Sequence, residues 1–79
     1  MPVLIMLSTT LRSAVPGYDP AQGLSIPWNE PLTTGQLAKK IGLSVEEIKV
    51  IMLNGRHAGF EQEIHDNDRV SYFPAVGGG

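Results

Sequence analysis

Hydrophobic positions in this chain fall in short runs divided by turn-forming residues, a rhythm of strands around one helix rather than of a helical bundle. Residues 3–11 are apolar at first and then rich in Ser and Thr, which predicts a strand buried on both faces at its start and lying inside a sheet. Residues 12–23 gather Pro16, Gly17, Asp19, Pro20 and Gly23, which suit neither helix nor strand and predict a loop free to move. Leu24, Ile26 and Trp28 then alternate with Ser25, Pro27 and Asn29. This is a second strand, paired with the first and confined to an edge or a strand end because Pro27 has no N–H to donate.

Asn29, Glu30 and Pro31 break the chain before Thr33, Thr34, Gly35 and Gln36, whose spacing is that of a capping box. A helix of little more than two turns follows, with Leu37, Ala38 and Ile41 as its apolar stripe, Lys39 and Lys40 on the wet side and Gly42 as a left-handed stop. Ser44, Val45, Glu46 and Glu47 repeat the capping pattern and predict one further turn. The run 48–53, the pair Asn54 and Gly55, and the run 56–60 predict a hairpin closed by a type I′ turn, since Asn-Gly accepts the positive φ values that turn requires. Residues 61–67 read as polar loop with Ile64 turned inward, and Asp66, Asn67 and Asp68 as the turn that opens a last strand. There Val70 and Tyr72 share one face, and Arg69, Ser71 and Phe73 share the other. The order strand, strand, helix, strand, short strand, strand predicts an α+β fold, the ubiquitin-like β-grasp: a mixed sheet with one main helix packed across one face.

Composition narrows the functional classes. At 79 residues the chain is one domain, and a domain of this size buries only about 60% of its unfolded surface. A modest core is within reach; a deep catalytic cleft as well is not. The net charge of −2 lacks the basic patch of a nucleic-acid binder. With no cysteine, the chain supplies no disulfide, thiolate zinc site or iron–sulfur ligand. The apolar run near the N-terminus is too short to span a bilayer and lacks the features of a signal peptide, so a cytoplasmic protein is expected, without membrane or nucleic-acid partners. His57 and His65, with Glu61, Glu63, Asp66 and Asp68 nearby, match no metal-site spacing and read as solvated loop residues. Met6 and Met52 read as core packing, and Lys39, Lys40 and Lys49 as solvated charges. No Ser/His/Asp pattern or phosphate loop is present, so the chain is expected to have no turnover of its own.

What remains is the end of the sequence: Phe73, Pro74, Ala75, Val76, then Gly77, Gly78 and Gly79. The chain thus divides into an expected β-grasp domain over 1–76 and a flexible C-terminal glycine tail over 77–79. Glycine lets another backbone close in on both sides, and three extended residues span roughly 10 Å, enough to thread a channel. A free α-carboxyl is ionised at neutral pH, an oxyanion able to attack the α-phosphate of ATP. Ordering each tail residue costs roughly 1 to 2 kcal/mol, so a folded body has to supply the affinity. Phe73, Pro74 and Val76 are the expected partner-binding residues, and Phe73 is the expected anchor. The chemistry requires Gly79 to be the native terminus.

These residues resemble a family, the small ubiquitin-like sulfur carriers that serve molybdopterin synthase and thiamine thiazole synthesis. The resemblance covers nearly the whole chain. Residues 7–12 look like the family's first-strand exit and residues 33–43 like its helix. Its most specific part is Leu53, Asn54, Gly55 and Arg56, followed by Asp66, Asn67, Asp68, Arg69 and Val70, and then residues 73–79. Trp28, Asn29, Glu30 and Pro31 depart from the family's more polar turn, and the third glycine lengthens the tail.

The resemblance implies a mechanism. An E1-like adenylyltransferase would adenylate the Gly79 carboxylate with ATP, Gly77 and Gly78 would thread its active site, and a persulfide-derived sulfur would replace AMP to leave a thiocarboxylate. No cofactor is expected to be bound stably by the chain itself, since the ATP belongs to the activating partner. The sulfur would pass to an accepting synthase. The loop after the first strand and the Phe-Pro-Ala-Val ending look more like the small, non-catalytic subunit of molybdopterin synthase than like the shorter thiamine carrier. A thiamine thiazole carrier, or a ubiquitin-like interaction module or protein modifier without sulfur transfer, are the alternatives.

Overall fold

The computed structural model describes residues 2–28 and 30–74. Among the described residues, seven strands and one α-helix follow in the order β1 (Pro2–Leu7), β2 (Leu24–Pro27), β3 (Leu32–Thr33), α1 (Thr34–Lys40), β4 (Ile48–Leu53), β5 (Arg56–Ala58), β6 (Glu63–Ile64) and β7 (Arg69–Pro74). Short 3₁₀ turns cover Thr9–Ala14 and Val45–Glu47. Five strands form one sheet in the order β2-β1-β7-β4-β5, and β3 pairs with β6 in a small second ladder. The β1/β7 pair is parallel and the other pairs of the main sheet are antiparallel, so the sheet is mixed as expected. The last strand lies at its centre.

The alternation within the strands decides where the core lies. Val3, Ile5 and Leu7 of β1, Ile48 and Ile51 of β4, and Val70 and Tyr72 of β7 are buried. They meet Leu37 and Ala38 of α1, with Leu11, Leu43 and Ile64 closing the margins. A buried aliphatic or aromatic side chain contributes about 1.5 to 3 kcal/mol, so this one-sided layer carries most of the stability. Tyr72, fully buried, donates a hydrogen bond of 2.6 Å from its hydroxyl to the Thr34 carbonyl and so ties the central strand to the start of α1.

The capping box forms as the spacing predicts: Thr33 Oγ1 accepts from the Gln36 N–H at 3.1 Å, and Gln36 Oε1 accepts from the Thr33 N–H at 2.9 Å. Gly42 has φ of +100° and stops the helix. Asn54 and Gly55 have φ of +52° and +84°, as the type I′ hairpin requires.

Several expectations need correcting. β1 ends at Leu7, and the residues after it wind into a 3₁₀ turn that buries Leu11 and Val15. The strand is not buried on both faces, because Leu4 and Met6 point to a side that no helix covers and are only half-buried. Met52 shares that side and that exposure, so neither methionine belongs to the core. The loop after β1 is pinned rather than free: the Tyr18 hydroxyl accepts from the Leu7 N–H at 2.8 Å, and Arg12 Nε donates to the Leu7 carbonyl at 3.0 Å. At Ser44 the predicted extra turn forms, but without a side-chain cap. Residues 63 and 64 are a strand rather than loop, although Ile64 turns inward as expected.

Candidate functional site

The uncovered face of the sheet carries the candidate site, and strand register builds it. Met6 of β1 stands opposite Ser71 of β7, which stands opposite Met52 of β4, so one row crosses the three inner strands. Leu4 and Arg69 form the neighbouring row, and Phe73 faces Val50 on the other side. Residues 8–23 rise beside this floor as a wall. The result is a groove of about 550 Å³, with Leu4, Met6, Ser71 and Met52 along its floor, Phe73 and Arg69 towards its ends and Arg12 on its rim.

Gly23 lets the wall approach the floor. Its φ is +77°, and a Cβ there would lie 2.6 Å from Met6 Sδ and 2.8 Å from the Ile5 carbonyl oxygen. The tight turn before it is held by Asp19, whose carbonyl accepts from the Gly23 N–H at 2.7 Å and whose carboxylate accepts from the Ala21 N–H at 2.9 Å.

A second network fixes where β7 begins. The Asn54 amide donates to Asp68 Oδ1 at 2.8 Å and its Oδ1 accepts from the Arg69 N–H at 2.9 Å, while Asp68 Oδ2 accepts from the His65 N–H at 2.7 Å. Asn67 takes the left-handed conformation with φ of +71°. The hairpin turn and the turn before β7 thus hold each other, and the Asp68 carbonyl accepts from the Leu4 N–H at 3.0 Å to set the β1 register.

Of the expected site residues, Phe73 lies on the open face with 37% exposure and lines the groove. Pro74 is half-buried opposite Ile48 and, by alternation, belongs with Tyr72 on the helix side. Val76, Gly77, Gly78 and Gly79 lie outside the described residues. His57, His65, Lys39, Lys40 and Lys49 are all exposed, and His65 Nε2 lies 3.1 Å from Glu63 Oε1 on the surface. Among the described residues no helix is long and apolar enough to cross a membrane.

Sequence reasoning placed Ser71 and Arg69 on the face of Phe73 but missed that Met6, Met52 and Arg12 join them. The available signal was the buried pair Val70 and Tyr72, which fixes the parity of β7; the unbroken apolar run of β1 concealed the matching parity there.

A central strand leading towards a glycine-rich terminus, a single helix on one face and an open groove on the other define a ubiquitin-like β-grasp protein. The fold is similar to that of SAMP1 from Haloferax volcanii, seen in a crystal structure, with a TM-score of 0.68 at 17% sequence identity and full coverage of both chains. A family model described as the ThiS family matches residues 14–79, and the chain belongs to that family. It is a ubiquitin-like sulfur carrier rather than a catalyst, in a family that works with E1-like activating enzymes and sulfur-accepting partners. A search of curated proteins found none that matches the chain.

Proposed function

We propose that the chain is a sulfur carrier whose Gly79 carboxylate is adenylated and converted to a thiocarboxylate, and that its sulfur goes to molybdopterin synthesis. The observation that carries the reading is the position of β7, the central strand, whose last residue stands five positions before Gly79 in a family of carriers. A tail that must enter a partner's active site gains from a rigid origin, because every ångström of play at the anchor is play at the reacting atom.

An oxygen of the Gly79 carboxylate attacks the α-phosphorus of ATP held by an E1-like adenylyltransferase, and pyrophosphate leaves. A persulfide then attacks the acyl carbon, and AMP leaves with the electron pair of the broken C–O bond. The resulting acyl disulfide is cleaved by a second thiol, which becomes part of a disulfide and releases the thiocarboxylate. Gly77 and Gly78 thread the partner's channel. Phe73 and the groove beside it hold the body in place, with Val76 adding contact nearer the tail. ATP remains a substrate of the activating enzyme, and in this reading the reaction is a cytoplasmic one. As the small subunit of a synthase, the thiocarboxylated chain then hands its sulfur to a pterin precursor on the large subunit. The length of the wall formed by residues 8–23 supports that destination over thiazole synthesis.

Intact-mass measurement after incubation with ATP, an activating enzyme and a persulfide source tests the chemistry, with a variant carrying one residue after Gly79 as control. Replacement of one oxygen by sulfur is expected in the native chain and not in the extended one; pyrophosphate exchange at the normal rate by the extended chain overturns the terminal-carboxylate reading. The thiocarboxylated protein is then given separately to a molybdopterin synthase large subunit and to a thiazole synthase. Dithiolene formed with the first is the expected result, and product from the second alone moves the carrier to thiamine synthesis.

A further inference from the structure

The open groove has a charge character opposite to that of the chain as a whole. The chain has eight Asp and Glu residues and a net charge of −2, yet none of the eight lines the groove; its charged lining is Arg12 and Arg69. Arg12 is exposed and is held by its Nε–H bond to the Leu7 carbonyl, which leaves its terminal N–H groups as further donors. Among the described residues the ion pairs shown belong to His65, and neither arginine takes part in one. Two guanidinium groups that have no carboxylate partner among the described residues therefore flank an apolar floor.

The floor has a shape as well as a polarity. In the row Met6–Ser71–Met52 the small serine stands between two long thioether side chains. Neighbouring strands lie about 4.8 Å apart, so the methionine backbones stand roughly 10 Å from each other, with a notch over Ser71 wide enough for one large apolar side chain. Methionine adapts its unbranched chain to whatever enters. Phe73 bounds the notch along the strand on one side, and Arg69 does so on the other.

We propose that this groove docks an acidic segment of a partner protein, with one leucine or phenylalanine seated over Ser71 between Met6 and Met52 and its flanking carboxylates paired with Arg12 and Arg69. The proposal rests on the carrier reading for its biological setting and names the chemistry of the partner's contact. Opposite charge steers the encounter and fixes orientation, while the apolar knob supplies the contact that excludes water.

The test is a titration of the full-length, isotope-labelled protein with a short synthetic peptide of aspartate and glutamate around a central leucine, followed by NMR of backbone amides and methionine methyls. Saturable shifts confined to Leu4, Met6, Met52, Ser71, Phe73 and the two arginines are expected. Binding should weaken about tenfold when alanine replaces the leucine or when Arg69→Glu or Arg12→Glu reverses a charge, since a rim pair turns from attraction to repulsion. Ser71→Leu fills the notch from the solvent side and should remove the preference for leucine over alanine while the core resonances stay put. Shifts elsewhere on the molecule, equal binding of a lysine-based peptide, self-association through this face in preference to the peptide, or no saturable binding each overturn the proposal. The titration needs neither ATP nor sulfur. A chain that takes up sulfur but ignores the peptide loses the docking proposal alone, and one that binds the peptide but is never adenylated loses the carrier reading alone.

Discussion

Tyr72→Phe isolates the hydrogen bond that ties the strand leading to the tail to the helix beneath it. The ring is fully buried and its hydroxyl donates to the Thr34 carbonyl at 2.6 Å. Phenylalanine keeps the ring and removes the donor. The Thr34 carbonyl, at the first position of α1, is left with the helical N–H four residues on, so no unsatisfied acceptor is created. The cost near neutral pH is therefore that of one ordinary hydrogen bond, about 1 kcal/mol.

Burial also pushes the Tyr72 hydroxyl pKa well above its usual value, because the phenolate cannot be solvated there. A raised folded-state pKa means that above pH about 10 the unfolded chain releases this proton while the folded chain keeps it. Unfolding is then favoured by about 1.4 kcal/mol per further pH unit. The advantage of tyrosine over phenylalanine is present in full below pH 10 and is lost as the pH rises beyond it, so the two stability curves should cross near pH 11, where about 1 kcal/mol has been given back. Urea unfolding of both proteins between pH 7 and about pH 12, followed by far-UV circular dichroism, measures the crossing. A constant difference across that range would mean that Tyr72 ionises as readily folded as unfolded, and the sealed tie to Thr34 would be refuted.

Two further substitutions separate the wall of the groove from its contact residue. Gly23→Ala should destabilise the fold by about 2 to 4 kcal/mol, summing a left-handed backbone and a Cβ that meets the Ile5 carbonyl oxygen, whereas Gly17→Ala, with φ of +81° and open space around it, should cost only about 1 to 2 kcal/mol; equal losses in urea unfolding would show that the close approach at Gly23 contributes nothing. Phe73→Ala should weaken binding of the activating enzyme by about 1 to 3 kcal/mol in titration calorimetry, with a smaller effect on Tm because the ring is exposed, and a large drop in Tm with unchanged binding would make Phe73 a packing residue instead.

The layering was legible where a run of residues carries its own parity or its own punctuation. Val70 and Tyr72 against Arg69, Ser71 and Phe73 gave both faces of β7 correctly, and the capping box, Gly42 and the Asn-Gly turn each marked a boundary that the structure keeps. β1 was harder because every residue from Val3 to Leu7 is apolar, so the run does not reveal which face a helix covers. Its end was hidden as well. Ser8, Thr9 and Thr10 extend the strand in propensity, but Leu11 and Val15 lie four apart and reach the core together when the backbone winds into a turn, and that tertiary gain decides the conformation. The β3/β6 ladder is two residues long on each side, below the length at which alternation carries information.

The same distinction explains the candidate site. The block Asn54, Gly55, Asp68 and Arg69 stood out in the sequence as a motif, and Asn54 turns out to bond both the Asp68 carboxylate and the Arg69 N–H and so to fix the start of β7, while the Arg69 side chain lines the groove. Its constraint is thus one step removed from chemistry: it sets the register of the strand that leads to Phe73 and the glycines. The proposed contact surface has no motif, because Met6, Ser71 and Met52 come from three strands far apart in the chain and meet only through β1/β7 and β4/β7 pairing. A one-residue slip in either pairing would turn Met6 or Met52 to the helix side and close the notch over Ser71. The lock at Asn54 and Asp68 therefore sets two things at once, the register of β7 and the groove beside it, so that under the proposed docking the end of β7 is brought to a partner in one orientation.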